Sequence, residues 1–164
     1  MTLRLRSVQA GIVSTVAFCL LASLWTSDAF AQGRGEKKST ELSSLNEVSI
    51  EINPLSEQAS NCGVAVNDLE SSARAALEAS PLKVNKSATN FVFVNANVVA
   101  NADLCIASVD VELFRWAKDY GVSASVWGHQ ALIVSPKDGF NGRVREKIDA
   151  LTKEFIAEWQ KAKQ

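Results

Sequence analysis

His129 is the only histidine of the chain, and its neighbours determine whether hydrolytic chemistry can be built around it. The strand pairing predicted below puts Ser108 and Ser125 beside His129, with Asp110 one row away on the same sheet face. A serine-histidine-aspartate triad uses these residue types, but it also needs an oxyanion hole and a site closed to water. A flat sheet surface supplies neither. We therefore expect no catalytic role for His129, and a small hydrolase using it remains an alternative.

Other reactive patterns are missing from the sequence. No G-x-S-x-G, H-E-x-x-H or phosphate-binding glycine loop occurs in the chain. Asp110 and Glu112 share one strand face, but we expect both to be exposed, which does not suit the general acid of a glycosidase. A single histidine and the absence of a closely spaced cysteine pair argue against a zinc site. The sequence thus predicts no catalytic residues, no metal ligands and no cofactor.

The N-terminal residues 1–31 have the three parts of a secretory signal peptide. Arg4 and Arg6 precede a nearly continuous apolar stretch over residues 10–25, and Ala29-Phe30-Ala31 offers small residues for cleavage after Ala31. The apolar stretch is shorter than the roughly 20 residues that a membrane-spanning helix needs. We therefore expect cleavage, a periplasmic or secreted protein, and no stable membrane span in the mature chain.

Removal of the signal peptide leaves two cysteines, Cys62 and Cys105. An even number of cysteines in an exported chain favours a disulfide, because the compartment is oxidising. Two buried free thiols are the alternative. We predict a structural disulfide between Cys62 and Cys105.

Hydrophobic periodicity defines the elements of the rest of the chain. Residues 32–46 are rich in Gly, Ser, Lys and Glu and are predicted to be a mobile lead-in, followed by one globular domain over residues 47–164. Alternating apolar residues predict one strand before the first helix and three strands after it, and the chain ends in a second amphipathic helix. The order is β-α-β-β-β-α. It predicts an α+β two-layer sandwich in which two helices cover one face of an antiparallel three-strand meander and the N-terminal strand.

The sheet face opposite the helices is the predicted binding surface. If the turns are centred on residues 101–103 and 118–121, one row of this face contains Phe93, Asp110 and Trp127, and the helix-facing set of the last strand is Val122, Ala124, Val126 and Gly128. Aromatic side chains among polar groups are typical of partner interfaces, although ordinary cross-strand aromatic pairs give the same pattern. The candidate binding residues are Phe91, Phe93, Asp110, Trp127 and His129.

The net charge limits the classes of partner. The chain has 17 Lys+Arg and 18 Asp+Glu, so no strong positive field attracts nucleic acid. With no catalytic site expected, the sequence predicts a small, exported, disulfide-bonded, non-catalytic domain that binds another envelope or secreted component. Self-association through the sheet face is a second alternative to partner binding, in addition to the small hydrolase.

Overall fold

The computed structural model describes residues 41–164 of the chain. The predicted signal peptide, its cleavage site and residues 32–40 lie outside this part. After a helical turn at residues 41–43, the described elements are, in order, β1 (Glu47–Ile52), α1 (Glu57–Asn61), α2 (Val66–Glu78), β2 (Lys83–Val84), β3 (Phe91–Asn101), β4 (Leu104–Ala117), β5 (Val122–Pro136) and α3 (Phe140–Ala162).

The five strands form one sheet in the order β2-β1-β3-β4-β5. Strand β1 is parallel to both β2 and β3, whereas β3, β4 and β5 form an antiparallel meander. The predicted α+β class is confirmed, with two elements added. Helix α1 is short and buries only Ala59, and β2 has two residues, so neither is long enough to produce a recognisable periodicity.

Helices α2 and α3 pack against the same face of the sheet, which we call the inner face. The apolar stripe of α3 is buried as its spacing predicts, with Phe140, Val144, Ile148 and Phe155 fully buried. Small residues on the strands, including Ala107, let the helices lie close to the sheet. The core therefore lies between one helix layer and one sheet layer.

Residues 41–46 pack on the domain, so the predicted mobile lead-in over residues 32–46 is wrong for this part. Leu42 and Leu45 are 3% and 1% exposed, and the Trp159 indole N–H donates a 3.0 Å hydrogen bond to the Leu45 carbonyl. The Arg115 guanidinium donates to the Glu41 carbonyl at 2.7 Å. Two leucines three residues apart bury enough apolar surface to hold a segment that is otherwise polar.

A disulfide joins Cys62 and Cys105, the pair expected from the sequence, with the two Cα atoms 6.1 Å apart. Both residues are buried, at 3% and 0% exposure. Cys62 follows the last residue of α1, and Cys105 is the second residue of β4. The bridge therefore ties the segment before α2 to the start of a central strand.

Replacing Cys62 with serine will destabilise the domain. Loss of a native disulfide in a small exported domain costs about 2–5 kcal/mol, which lowers the Tm of a chain this size by roughly 8 °C or more. Thermal unfolding of wild type, Cys62→Ser and the Cys62→Ser/Cys105→Ser double variant, each with and without reductant, measures this. Reductant will lower the Tm of the wild type and leave that of the Cys62→Ser/Cys105→Ser double variant unchanged. A wild-type Tm that does not respond to reductant contradicts the disulfide.

Candidate binding face of the sheet

The sheet face away from α2 and α3, which we call the outer face, contains three of the predicted binding residues. Phe91, Phe93 and Asp110 all point to this face, because their pairing partners across β3 and β4 also point away from the helices. The observed register between β3 and β4 pairs Asn95 with Asp110. It differs by two residues from the prediction, and an even shift leaves every side chain on its predicted face.

Trp127 and His129 lie on the inner face, so their predicted place in the outer binding surface is wrong. Leu113 pairs with Trp127 and Phe114 pairs with Ser125, which leaves Val126 as an extra residue in β5. Such a β-bulge reverses the inward and outward alternation of the strand beyond it. From Trp127 onward, odd-numbered residues of β5 therefore face the helices.

The side chains of Trp127 and His129 both contact helix α3. The Trp127 ring is 2% exposed and lies 5.2 Å from the Phe155 ring, centroid to centroid, and 4.7 Å from the His129 ring. His129 is paired with α3 as well, since its Nδ1 is 2.8 Å from Oε2 of Glu154 and its Nε2 is 3.6 Å from Oε1 of Glu158. His129 thus contacts carboxylates of α3.

The residues considered for a hydrolytic triad are not brought together. Ser125 lies on the outer face and donates a 2.7 Å hydrogen bond to Glu112, while the Ser108 hydroxyl accepts one of 2.7 Å from Gln130. His129 is on the other side of the sheet. Neither Ser108 nor Ser125 is therefore available to His129 as a nucleophile in this arrangement.

One end of the outer face bears an aromatic cluster consisting of Phe91, Phe93, Phe114 and Trp116. The rings of Phe91 and Phe114 are stacked with centroids 5.1 Å apart, and Phe93 meets Phe114 edge to face at 5.9 Å. The Trp116 residue is 46% exposed. The alternation of β4 already implied that Phe114 and Trp116 share the face of Asp110, and this signal was missed.

A polar band crosses the middle of the outer face. The Asn53 amide donates to Asn95, and the Asn95 amide donates to Asp110, at 2.9 and 3.0 Å. Next to it, Gln130 donates to Ser108 across β4 and β5. These bonds hold the polar groups in fixed positions along the sheet, because each links neighbouring strands.

The other end of the outer face bears an aliphatic patch. Val99 pairs with Ile106 and Ile106 with Val134, so their side chains form one row across three strands. Leu132 and Leu104 lie in the adjacent rows. Leu132, Val134 and Val99 are 72%, 56% and 53% exposed. The predicted alternation of the last strand did not reveal this patch, because its continuation past Gly128 points Leu132 and Val134 toward the helices.

Charged residues of α2 form local pairs on the surface of that helix. Arg74 of α2 is 2.6 Å from Glu70 and 3.5 Å from Glu78, and the hydrogen bond with Glu70 is the main cause that raises the pKa of Arg74. Within residues 41–164, no cluster of His, Cys, Asp and Glu side chains is suited to a metal ion. No helix among these residues is both long and apolar enough to cross a bilayer.

Comparison with known proteins gives similarity to solved structures only. No protein-family model matches the chain, and no curated protein has significant sequence similarity to it. A variant of the PelC dodecamer from Paraburkholderia phytofirmans is similar with a TM-score of 0.49 at 15% identity, over 68% of this chain and 87% of that chain. A minor lipoprotein from Acinetobacter baumannii gives 0.41 at 12% identity over 71% and 91%. Rare lipoprotein B from Shewanella oneidensis gives 0.41 at 9% identity over 71% and 95%.

The two faces predict different losses of stability for two tryptophan substitutions. Trp127→Ala will lower the free energy of unfolding by about 3–5 kcal/mol, because it leaves a cavity beside Phe155. Trp116→Ala, at a half-exposed position, will lower it by less than about 1 kcal/mol. Urea denaturation of both variants measures the difference. Equal losses would contradict the assignment of the two residues to different faces.

Proposed function

We propose that this protein is an exported, non-catalytic binding module that holds another envelope or secreted protein on the outer face of its sheet. The observation that carries the proposal is the grouping of exposed apolar side chains on this face. No element among residues 41–164 covers the face, and its two apolar ends are separated by a hydrogen-bonded polar band.

Covering the aliphatic patch with a partner is thermodynamically favourable. Single exposed apolar residues are ordinary on protein surfaces, but contiguous groups of them mark interaction sites. Val99, Leu132 and Val134 are each more than half exposed and lie in neighbouring rows. Complete burial of an exposed Val or Leu side chain contributes roughly 1.5–3 kcal/mol, so covering these three half-exposed residues favours association.

The charges of the outer face indicate the chemistry of the partner. Asp110 and Glu112 are the charged residues at outward positions of β3, β4 and β5, and Glu51 of β1 lies beside Phe93. Lys and Arg are absent from these outward positions in the described part of the chain. A partner with apolar side chains and a basic rim complements this face, because opposite charges guide and orient association.

Export is supported by two independent features of the chain. The N-terminal residues have the composition of a signal peptide, and the Cys62–Cys105 disulfide is of a kind that persists in oxidising compartments. The argument for a hydrolytic function no longer holds, because Ser108 and Ser125 lie on the face opposite His129.

The test is crosslinked capture from the native envelope with one outer-face variant and a matched control. The full chain with a C-terminal tag replaces the native copy and carries wild-type sequence, Val99→Asp or Val66→Asp. Val66 is 41% exposed at the first residue of α2 and is not part of the outer face, so it receives the same change at a similar exposure. We expect one protein other than this chain to be captured by wild type and Val66→Asp, and to decrease at least tenfold with Val99→Asp.

The outcomes separate the outer face from other surfaces. Equal capture by all three forms would mean that another surface binds the partner. Capture of this chain alone would contradict a binding module for a second protein. Because Asp at the N-terminus of a helix is favourable, the Val66→Asp control is expected to fold as well as the wild type.

A further inference from the structure

Strand β5 is an edge of the sheet, and it is unusually long and uncharged for that position. Its 15 residues, Val122–Pro136, pair with β4 on one side, and no strand among residues 41–164 pairs with the other. The strand contains no Asp, Glu, Lys or Arg. The opposite edge, β2, has only two residues and includes Lys83.

Free edges of this kind are templates for another strand. The outward N–H and C=O groups of an edge strand are unpaired, and proteins usually protect them with charge, proline or short length. In β5 the proline is the last residue, and the bulge at Val126 affects only the first part of the strand. Residues 127–136 pair with β4 without interruption, so a regular edge remains open on their other side.

Helix α3 adds a charge pattern beside this edge. Glu154 and Glu158 face β5, as their contacts with His129 establish. Lys147 and Arg143 precede Glu154 by two and three helical turns and therefore lie on the same side of α3. This side of α3 thus has basic residues at 143 and 147 and acidic residues at 154 and 158, followed by Lys161 in the last turn of the helix.

We propose that two copies of this chain pair their β5 strands antiparallel about a two-fold axis near Gln130, giving one continuous ten-stranded sheet. A two-fold axis makes the two α3 helices antiparallel neighbours. Lys147 and Arg143 of each copy then face the half of the other α3 that bears Glu154 and Glu158. The pattern is self-complementary in this orientation, whereas parallel pairing would put like charges together.

The position of the axis and the spacing of the helices agree with this arrangement. Phe155 packs on Trp127, which aligns these two positions of α3 and β5. A helix advances about 1.5 Å per residue and a strand about 3.3 Å, so the roughly five residues from Phe155 back to the middle of the charge pattern correspond to about two residues of β5. The middle of the charge pattern therefore lies above His129 and Gln130. Because α3 contacts β4 and β5 alike, strands about 4.8 Å apart put the two α3 axes about 10 Å apart, the distance at which helices pack.

This dimer concerns a different surface from the proposed function. The β5 edge and the side of α3 make the contact between copies, while the outer face stays available to a second protein. The following measurements use purified protein alone, so their failure is distinguishable from failure of partner capture.

Charge reversal tests the pairing of the helices. The protein is produced from the full chain with export, and its dimer Kd is measured by sedimentation equilibrium. We expect a wild-type dimer, and a dimer Kd at least tenfold higher for Glu154→Lys and for Lys147→Glu. The double variant Lys147→Glu/Glu154→Lys will return the Kd to within about threefold of wild type, because it exchanges the two charges. Unfolding curves verify that each variant is folded.

Cysteine crosslinking tests the position of the axis. Residues directly opposite each other in antiparallel strands have Cα atoms about 4.5–5.5 Å apart, within the range of a disulfide. Gln130→Cys will therefore form a covalent dimer under mild oxidation. Asn97→Cys is the control, since Asn97 is exposed on the outer face of β3, away from the edge. It will remain uncrosslinked.

Several results would overturn the proposal. A wild-type protein that stays monomeric at high micromolar concentration excludes the dimer. A dimer that persists in both single charge variants but is lost in Val99→Asp is formed by the outer face and not by the edge. Crosslinking of Asn97→Cys as efficient as that of Gln130→Cys would mean nonspecific collision. If the double variant does not recover the wild-type dimer Kd, the charges of the two α3 helices are not paired as proposed.

Discussion

The extra residue at Val126 determines which side chains of β5 reach the core and which reach solvent. Without the bulge, Trp127 would point away from the helices and its contact with Phe155 would be lost. With it, Trp127 fills the space beneath α3, His129 meets the carboxylates of Glu154 and Glu158, and the following even-numbered residues are exposed. The aliphatic patch on the outer face and the buried aromatic packing on the inner face thus have one cause.

The sequence allowed the faces of β3 and β4 to be predicted, but not that of β5. In β3 and β4, Val and Ala alternate with polar or aromatic residues over residues 91–97 and 107–112, which leaves one consistent assignment. In β5, residues 122–125 follow the predicted alternation and the residues after Val126 do not. A glycine often marks a β-bulge in a sequence, but the bulge lies at Val126. The nearby glycine, Gly128, is regularly paired and lies on the outer face beside Glu112. Burial of a large indole decided the register, and burial depends on contacts distant in sequence.

The disulfide and the packing of residues 41–46 show the same contrast between local and long-range information. The disulfide was predicted from the even number of cysteines that remain after the expected signal peptide, so no knowledge of the fold was needed. The packing of Leu42 and Leu45 could not be seen locally, since two leucines in a polar segment give no periodicity. Their place in the core is fixed by Trp159, which is more than a hundred residues away in the sequence.

A two-layer fold leaves one sheet face and its edges uncovered, and in this chain the two features meet along β5. Leu132 and Val134 belong to the outer-face aliphatic patch and also to the edge strand. Antiparallel pairing of two β5 strands would therefore bring the aliphatic patches of both copies to one seam and join the two outer faces into a single surface. A partner with two contact segments would bind such a surface far more tightly than either half, because the second contact forms at high effective concentration. Edge pairing and partner binding would then reinforce each other without any change in the fold of either copy.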